Sequence, residues 1–524
     1  MKIGRFFWMV LSSMFLLSVF SGCTQGSSDI IKQNDENINS DSSSTNGKPD
    51  SVSPSDEISA TIKMEPENAL LNLDPSSKFQ QIEGFGFFGG RDVWWSSGDP
   101  SHFYSDKWLV LVLDDLGLTM WRNELYPNNP VESNNSTEKQ DADWDKQKPL
   151  AKALAQKAKE LSVPLKTILT VWSPPGEWKI QCQMQWAGDE KAERGGAHNS
   201  TKNGGTLDPE KYAQFADWLA DGIKMYEKEG IEVYALSLQN EPAFKQSFNS
   251  CTYTTKWYCE LLKNVVPKVK KKYTKVKIFG SENMLKNEGA EEDYRWFYHA
   301  AIFNDKEALK NLDVFAVHGY SDGVLAEAVE NHKDFWTRTR LQFSEFSGKP
   351  YWMTETSGYV DDWHAKGGKP GARDLAIAIY SALYHGRASA WVWWQGSELN
   401  GIGEYNLMNG TKTGKKYYVS KHFYRFIRPE SYMIDVKSNE DSLFACAFKN
   451  DKLQNFVIVL INTDSKPKKL EFTGEGVPDK FDCYVTDSSK DMNCRLMGTF
   501  NASDIIIPQD SIVTLINGRF KEKE

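Results

Sequence analysis

From Glu83 to Phe426 short apolar runs alternate with longer stretches in which apolar positions recur at three- and four-residue spacing. That alternation predicts repeated strand–helix units around a parallel sheet. Eight strand candidates can be counted: "EGFGFF" from Glu83, "LTMWRN" from Leu118, "LKTILTVW" from Leu165, "VYALSLQN" from Val233, "VKIFGSE" from Val276, "DVFAVHGY" from Asp313, "PYWMTE" from Pro350 and "ASAWVWW" from Ala388. Between them, "DPEKYAQFADWLADGIKMYEKEG" reads as a helix: Asp208 can cap it, Pro209 suits its first turn and Gly230 closes its end. Eight such units predict an α/β fold, a (β/α)8 TIM barrel, over residues 81–428. Past Pro429 the pattern changes to short β-like runs such as "LFACAFK", "FVIVLINT" and "SIVTLING", which predict a side β-sandwich over 429–524. The stretch "ISATIKMEPENALLNLD" is also strand-like. Residues 58–80 are therefore expected to join the sandwich, so that both ends of the chain build it.

The first 23 residues break this pattern. Lys2 and Arg5 precede an apolar stretch from about Phe6 to Phe20, followed by Ser21, Gly22 and Cys23, which reads as an export signal. The stretch falls short of the roughly 20 apolar residues a spanning helix needs. "SGC" resembles a bacterial lipobox, in which Cys23 carries the lipid, so the protein is expected to be exported and lipid-anchored to a bacterial membrane, on the cell surface or the periplasmic side. Residues 24–57 are rich in Ser, Asn and Asp, nearly free of aromatics, and predict a disordered tether.

Composition narrows the partners. A net charge of −9 without a long basic run argues against nucleic acid, whose binding needs clustered Lys and Arg. Aromatics make up 13% of the chain, with 18 Trp and 21 Tyr, and flat amphipathic rings suit either a heavy core or stacking on sugars. Beyond Cys23 lie Cys182, Cys251, Cys259, Cys446, Cys483 and Cys494. In an oxidising compartment they allow 15 pairings, with Cys251–Cys259 and Cys483–Cys494 the local candidates. There is no Cys-x-x-Cys and the eight His are scattered, so no metal site is predicted.

The functional face of a parallel barrel lies at the C-terminal ends of its strands. "LSLQNEP" ends the fourth strand on Glu241, with Pro242 stopping the strand, and "PYWMTETSG" ends the seventh on Glu355. Barrel closure would set the two carboxylates across one cleft. Such a pair in aromatic surroundings is what glycosidic bond cleavage requires, one carboxyl protonating the leaving oxygen and the other attacking or stabilising the anomeric carbon. A solvated glutamate at a strand end is common, but two at matching positions with polar and aromatic neighbours are not.

The motifs "FQQIEGFGFFGG", "VWSPPGEWK", "SLQNEP", "VHGY", "WMTETSG" and "AWVWWQG", in this order, resemble the strand-end motifs of glycoside hydrolase family 30, within the large clan of retaining (β/α)8 glycosidases. The likeness covers about residues 79–435. It implies that Glu241 is the general acid/base, that Glu355 is the nucleophile forming a covalent glycosyl-enzyme, and that configuration is retained. It implies that Asn240 hydrogen-bonds the sugar 2-hydroxyl, an interaction able to strengthen in the transition state, and that Arg122 lies beside Glu355 and keeps it ionised while Glu241 holds its proton. Trp172, Trp178, Tyr320 and Trp394 match positions lining the sugar subsites, and His318 is placed to bond a catalytic carboxylate. Trp393, on the opposite strand face, is expected to be ordinary packing. Family members that grip glucuronate use an arginine after strand eight. Here "WWQGSELNGIGEYNLMNGTKTGKKYY" offers only Lys412, Lys415 and Lys416, which lack the bidentate fork.

The expected function is thus a retaining endo-β-glycanase needing no cofactor or metal, monomeric, with a polysaccharide substrate, xylan first, because "SKHFYRFIRPESYMIDV" looks like the xylanase branch. An endo-β-1,6-glucanase or galactanase, or an exo-β-glycosidase, would use the same pair. A glycan-binding surface lipoprotein without turnover would keep the aromatic wall but would not need Glu241, Glu355, Asn240 and Arg122 together.

Overall fold

The computed structural model describes residues 64–89, 105–125, 140–182, 194–290, 297–399 and 401–521. The export segment with Cys23, the tether 24–57 and the first part of 58–80 lie outside the described residues. All eight apolar runs fall on strands of one closed barrel of parallel neighbours: Gly84–Phe88, Met120–Glu124, Lys166–Thr170, Val233–Ser237, Lys277–Met284, Val314–His318, Tyr351–Glu355 and Ala390–Trp393. Side chains alternate across each strand. Those turned inward, including Met120, Ile168, Phe279, Val314 and Trp352, fill the lumen as a packed plug. Their outward neighbours, such as Phe85, Trp121, Leu236 and Phe315, are buried against the helical layer.

The helix foreseen from Asp208 forms in two steps. Asp208 Oδ1 accepts the Glu210 N–H at 3.0 Å and caps a short 3-10 turn, Pro209–Lys211, and the α-helix Tyr212–Lys228 follows. Its buried Phe215, Ala216, Leu219 and Ile223 share one face. Gly230, at φ 76°, takes the left-handed conformation that ends it.

The side domain is one nine-stranded sheet in which Glu67–Gln81 lies between Tyr432–Ser438, antiparallel, and Lys468–Thr473, parallel. Both ends of the chain therefore contribute, as the pattern foresaw. The two sandwich layers are a single sheet curled over. Phe472 and Phe481 belong to strands near opposite ends of the order, yet their rings stack at 5.8 Å across a common core.

The local disulfide candidates do not form; among the described residues Cys251, Cys259, Cys446, Cys483 and Cys494 are buried and none is joined in a disulfide. Cys483 belongs to the core inside the curled sheet, whereas Cys494 packs into the barrel-side core, so the two point to different cores. Cys251 faces Tyr253 and Tyr212, and Cys259 faces Asp305. The side chain of Cys182 lies outside the described residues. The segment after strand three holds a small sheet in which Lys179–Cys182 pairs with Arg194–Ala197 and Thr206–Leu207.

Candidate active site

Arg122, in barrel strand two, is completely buried, and a guanidinium out of water needs an acceptor for every fork. The strand ends around it supply them. Nη1 donates to Glu355 Oε2 at 2.6 Å, Nη2 to Asn240 Oδ1 at 2.9 Å and to Glu282 Oε1 at 3.0 Å, and Nε to Thr170 Oγ1 at 3.2 Å. The Trp172 ring lies 4.8 Å and the Phe88 ring 5.9 Å from its Cζ, closing the remaining faces. With its oxygen taken by Arg122, Asn240 has its amide nitrogen left for a ligand.

Glu241 is held from two other directions. His318 Nδ1 lies 2.9 Å from its Oε1, and Gln246 Nε2 donates to its Oε2 at 2.6 Å. His318 also approaches Glu282 Oε1 at 3.5 Å and Glu355 Oε1 at 3.9 Å. One carboxylate oxygen each of Glu241 and Glu355 and a ring nitrogen of His318 lie within 4.8 Å of one another. This is the one donor set of metal-ligating spacing among the described residues. Arg122 already bonds Glu355 and His318 already bonds Glu241, so the set is suited to moving protons rather than to seating a cation.

Burial pushes Glu241 above the ordinary carboxylate range; His318 pulls it back and Glu355 adds to the rise. Burial would also raise Glu282, but Arg122 and then His318 overcome it and hold this carboxyl at about 2. For His318 burial works downward, and Glu355, Glu241 and Glu282 together lift it to about 9. A cationic imidazole thus sits among three carboxyl groups, one of which is biased toward keeping its proton. Two of the three stand on left-handed backbone, Glu241 at φ 43° and Glu282 at φ 61°. Such conformations cost non-glycine residues energy and are held only where the surroundings over-determine them.

Tyr320 donates or accepts a bond with Ser357 Oγ at 3.1 Å and packs edge-on to His318. Trp394 lies 4.3 Å from Phe88 and 6.0 Å from Trp172 by ring centroid. Trp172 is only 4% exposed and covers Arg122, whereas Trp394 is half-buried and offers the open face. Trp178 is half-buried in the turn Gly176–Trp178, and no ring contact or side-chain hydrogen bond joins it to the glutamates among the described residues. Trp393 is buried outward, its Nε1 bonded to Tyr405 O. Of the lysines after strand eight, Lys416 is buried with Nζ on Gly403 O at 2.6 Å, and Lys415 reaches Asn493 Oδ1 at 2.6 Å, so neither is a free cation in the cleft.

Glu282 and Gln246 were not foreseen. Glu282 has a signal, since it ends "VKIFGSE" as Glu241 ends "VYALSLQNE". Gln246 sits in a loop and has none. Glu282→Gln should lower kcat by up to about 100-fold with little change in KM, because it slackens Arg122 and His318 without touching substrate. The same variant should lower the His318 pKa, measured by NMR titration. Gln246→Ala removes a donor that favours the ionised form of Glu241, so the Glu241 pKa should rise and the alkaline limb of the kcat/KM profile should move to higher pH.

No protein-family model matches the chain. The glucuronoxylanase XynC of Bacillus subtilis is 26% identical over 325 residues, which span 61% of this chain and 69% of that protein. A family 30 subfamily 8 xylanase from Clostridium acetobutylicum superposes with a TM-score of 0.63 at 22% identity, covering 86% of this chain and all of its own. An endo-β1,6-glucanase gives the same TM-score at 17% identity, covering 87% and 94%. In sequence the chain is similar to a bacterial glucuronoxylanase, its ordered strand-end motifs resemble those of glycoside hydrolase family 30, and its barrel with a side sheet is the fold of the family 30 xylanase it superposes on.

Proposed function

We propose that the protein is a retaining endo-β-glycanase whose substrate is xylan. The observation that carries this is the close pair Glu241 and Glu355, within 4.8 Å by their nearest oxygens, with Arg122 bound to Glu355 and not to Glu241. Retaining enzymes set their carboxyl groups about 5–5.5 Å apart, whereas inverting ones leave room for water at about 6.5–9.5 Å. Glu241, raised by burial, gives its proton to the leaving oxygen as Glu355 attacks the anomeric carbon. The ionised Glu241 then takes a proton from water, which displaces Glu355 and regenerates both groups. Asn240 binds the neighbouring hydroxyl, and Trp394 stacks on the sugar.

Xylan is favoured by the named activity of the Bacillus relative and by the xylanase-like segment after strand eight. With Lys415 and Lys416 engaged elsewhere and no arginine in that loop, a glucuronate branch is not an obligatory anchor. The enzyme works as a monomer outside the cytoplasm, tethered through a lipid on Cys23. Cys23→Ala should release it from the membrane fraction. The substrate is tested by chromatography and mass analysis of products from glucuronoxylan, arabinoxylan, β-1,6-glucan, β-1,6-galactan and β-1,4-glucan. A ladder of xylo-oligosaccharides from both xylans is expected. Products only from another glycan would replace xylan, and a single released sugar would replace endo action with exo.

A further inference from the structure

Few large apolar side chains are left open to solvent among the described residues, and four of them share two loops of the barrel's C-terminal face. They are Phe244 at 42% exposure, Phe248 at 37%, Val324 at 51% and Leu325 at 46%. The first pair lies on the loop leaving Glu241, and the Phe244 N–H donates to the Glu241 carbonyl at 2.9 Å. The second pair follows His318 and Tyr320 on the loop leaving strand six. The loops meet where the Phe244 ring rides over Gly323. A β-carbon there would stand 3.1 Å from the ring, and the φ of 93° already favours glycine.

Both loops are pinned. Asp322 Oδ1 accepts the N–H groups of Val324 and Leu325 at 3.0 and 2.8 Å. Ser250 Oγ accepts those of Gln246 and Gly204 at 3.1 and 2.9 Å. The apolar surface is therefore held in place before any ligand arrives. Apolar patches kept open beside a cleft mark binding surfaces.

Its position says what it binds. Phe88 and Trp172 cover Arg122, which bonds the nucleophile Glu355, and the half-buried Trp394 packed on them offers its open face to the sugar that becomes covalently attached. The Phe244 surface belongs to the loop of Glu241, the group that protonates the glycosidic oxygen, and an acid in that role faces the departing half of the chain. We propose that Phe244 and Phe248, backed by Val324 and Leu325, form the platform on which the leaving-group sugars of the β-linked chain stack. A β-linked pyranose presents C–H faces to such rings. Because the platform touches only sugars beyond the scissile bond, it favours long chains over short activated substrates.

The platform rests on the glycanase reading above, and the test separates the two. Wild type, Phe244→Ala, Val324→Ser with Leu325→Ser, and Phe244→Trp are compared on xylohexaose and on an aryl β-xylobioside, whose leaving group is no sugar. The ratio of kcat/KM for the hexaose to that for the aryl glycoside should fall roughly tenfold in the first two variants and hold in Phe244→Trp. An unchanged ratio in Phe244→Ala, whether both values fall together or neither does, overturns the platform while leaving the glycanase intact. A wild type inert towards both substrates overturns the xylanase reading and the platform's occupant with it.

Discussion

Azide should restore turnover of an activated aryl β-glycoside to Glu355→Gly and yield an α-glycosyl azide. Without azide the variant should lose on the order of 10^6-fold in kcat, the cost of removing a nucleophile outright. The small anion occupies the space of the missing carboxylate and attacks from the same face, giving a single inversion. Glu241→Ala behaves differently. Glu355 still forms the covalent intermediate from an aryl glycoside with a good leaving group, and azide then attacks from the opposite face to give the β-azide. The asymmetry follows from the site: Glu355 is ion-paired with Arg122 at 2.6 Å, whereas Glu241 is bonded by His318 at 2.9 Å and by Gln246 at 2.6 Å. An α-azide from Glu241→Ala would mean that the two roles are exchanged.

Arg122→Met should be the most destabilising substitution at the site. It leaves Glu282 and Glu355 buried without their shared cation, and unpairing a buried charge costs about 3–5 kcal/mol. The loss should depend on pH. In the wild type Glu282 is held at about 2, below its ordinary 4.5, so the stability it confers is present above about 4.5 and fades as pH falls through about 2. Without Arg122 burial acts on Glu282 with only His318 and a hydrogen bond from Ser237 against it, and its folded pKa rises. The difference in unfolding free energy between wild type and variant should therefore be larger at pH 7 than at pH 4. A difference that stays constant with pH would mean that Arg122 stabilises by packing against Trp172 and Phe88 rather than by charge. Activity should fall as well, since Asn240 and Glu355 both take their orientation from the guanidinium.

Much of this site is legible in the sequence because a barrel strand that ends on a carboxylate announces both its period and its face. "VYALSLQNE" and "PYWMTE" each carry an apolar run into a glutamate, and the barrel needs only to close to bring the two together. Glu282 escaped notice for a conformational reason. It ends the run "VKIFGSE", yet the strand continues to Met284, and only the left-handed turn at Glu282 aims its side chain at Arg122. Spacing also misled at the cysteines. Only ten residues separate Cys483 from Cys494, but the return of the chain sets their side chains in different cores, which depends on how the sheet curls and not on local pattern. Trp172 shows the same limit. A tryptophan in "VWSPP" suits a sugar-stacking wall, and only the buried position of Arg122 beneath it shows that the ring covers a cation.

The proposed roles of Glu241 as acid/base and Glu355 as nucleophile, with oxygens within 4.8 Å of each other, stand or fall on the configuration of the product. The most direct measurement follows the first products of xylan hydrolysis by the soluble chain from about Glu57, using proton NMR before the reducing ends mutarotate. The β-anomer appearing first is the predicted result, because two displacements at one carbon restore its configuration. The α-anomer appearing first would contradict it, showing that water attacks directly and that Glu355 serves as a base.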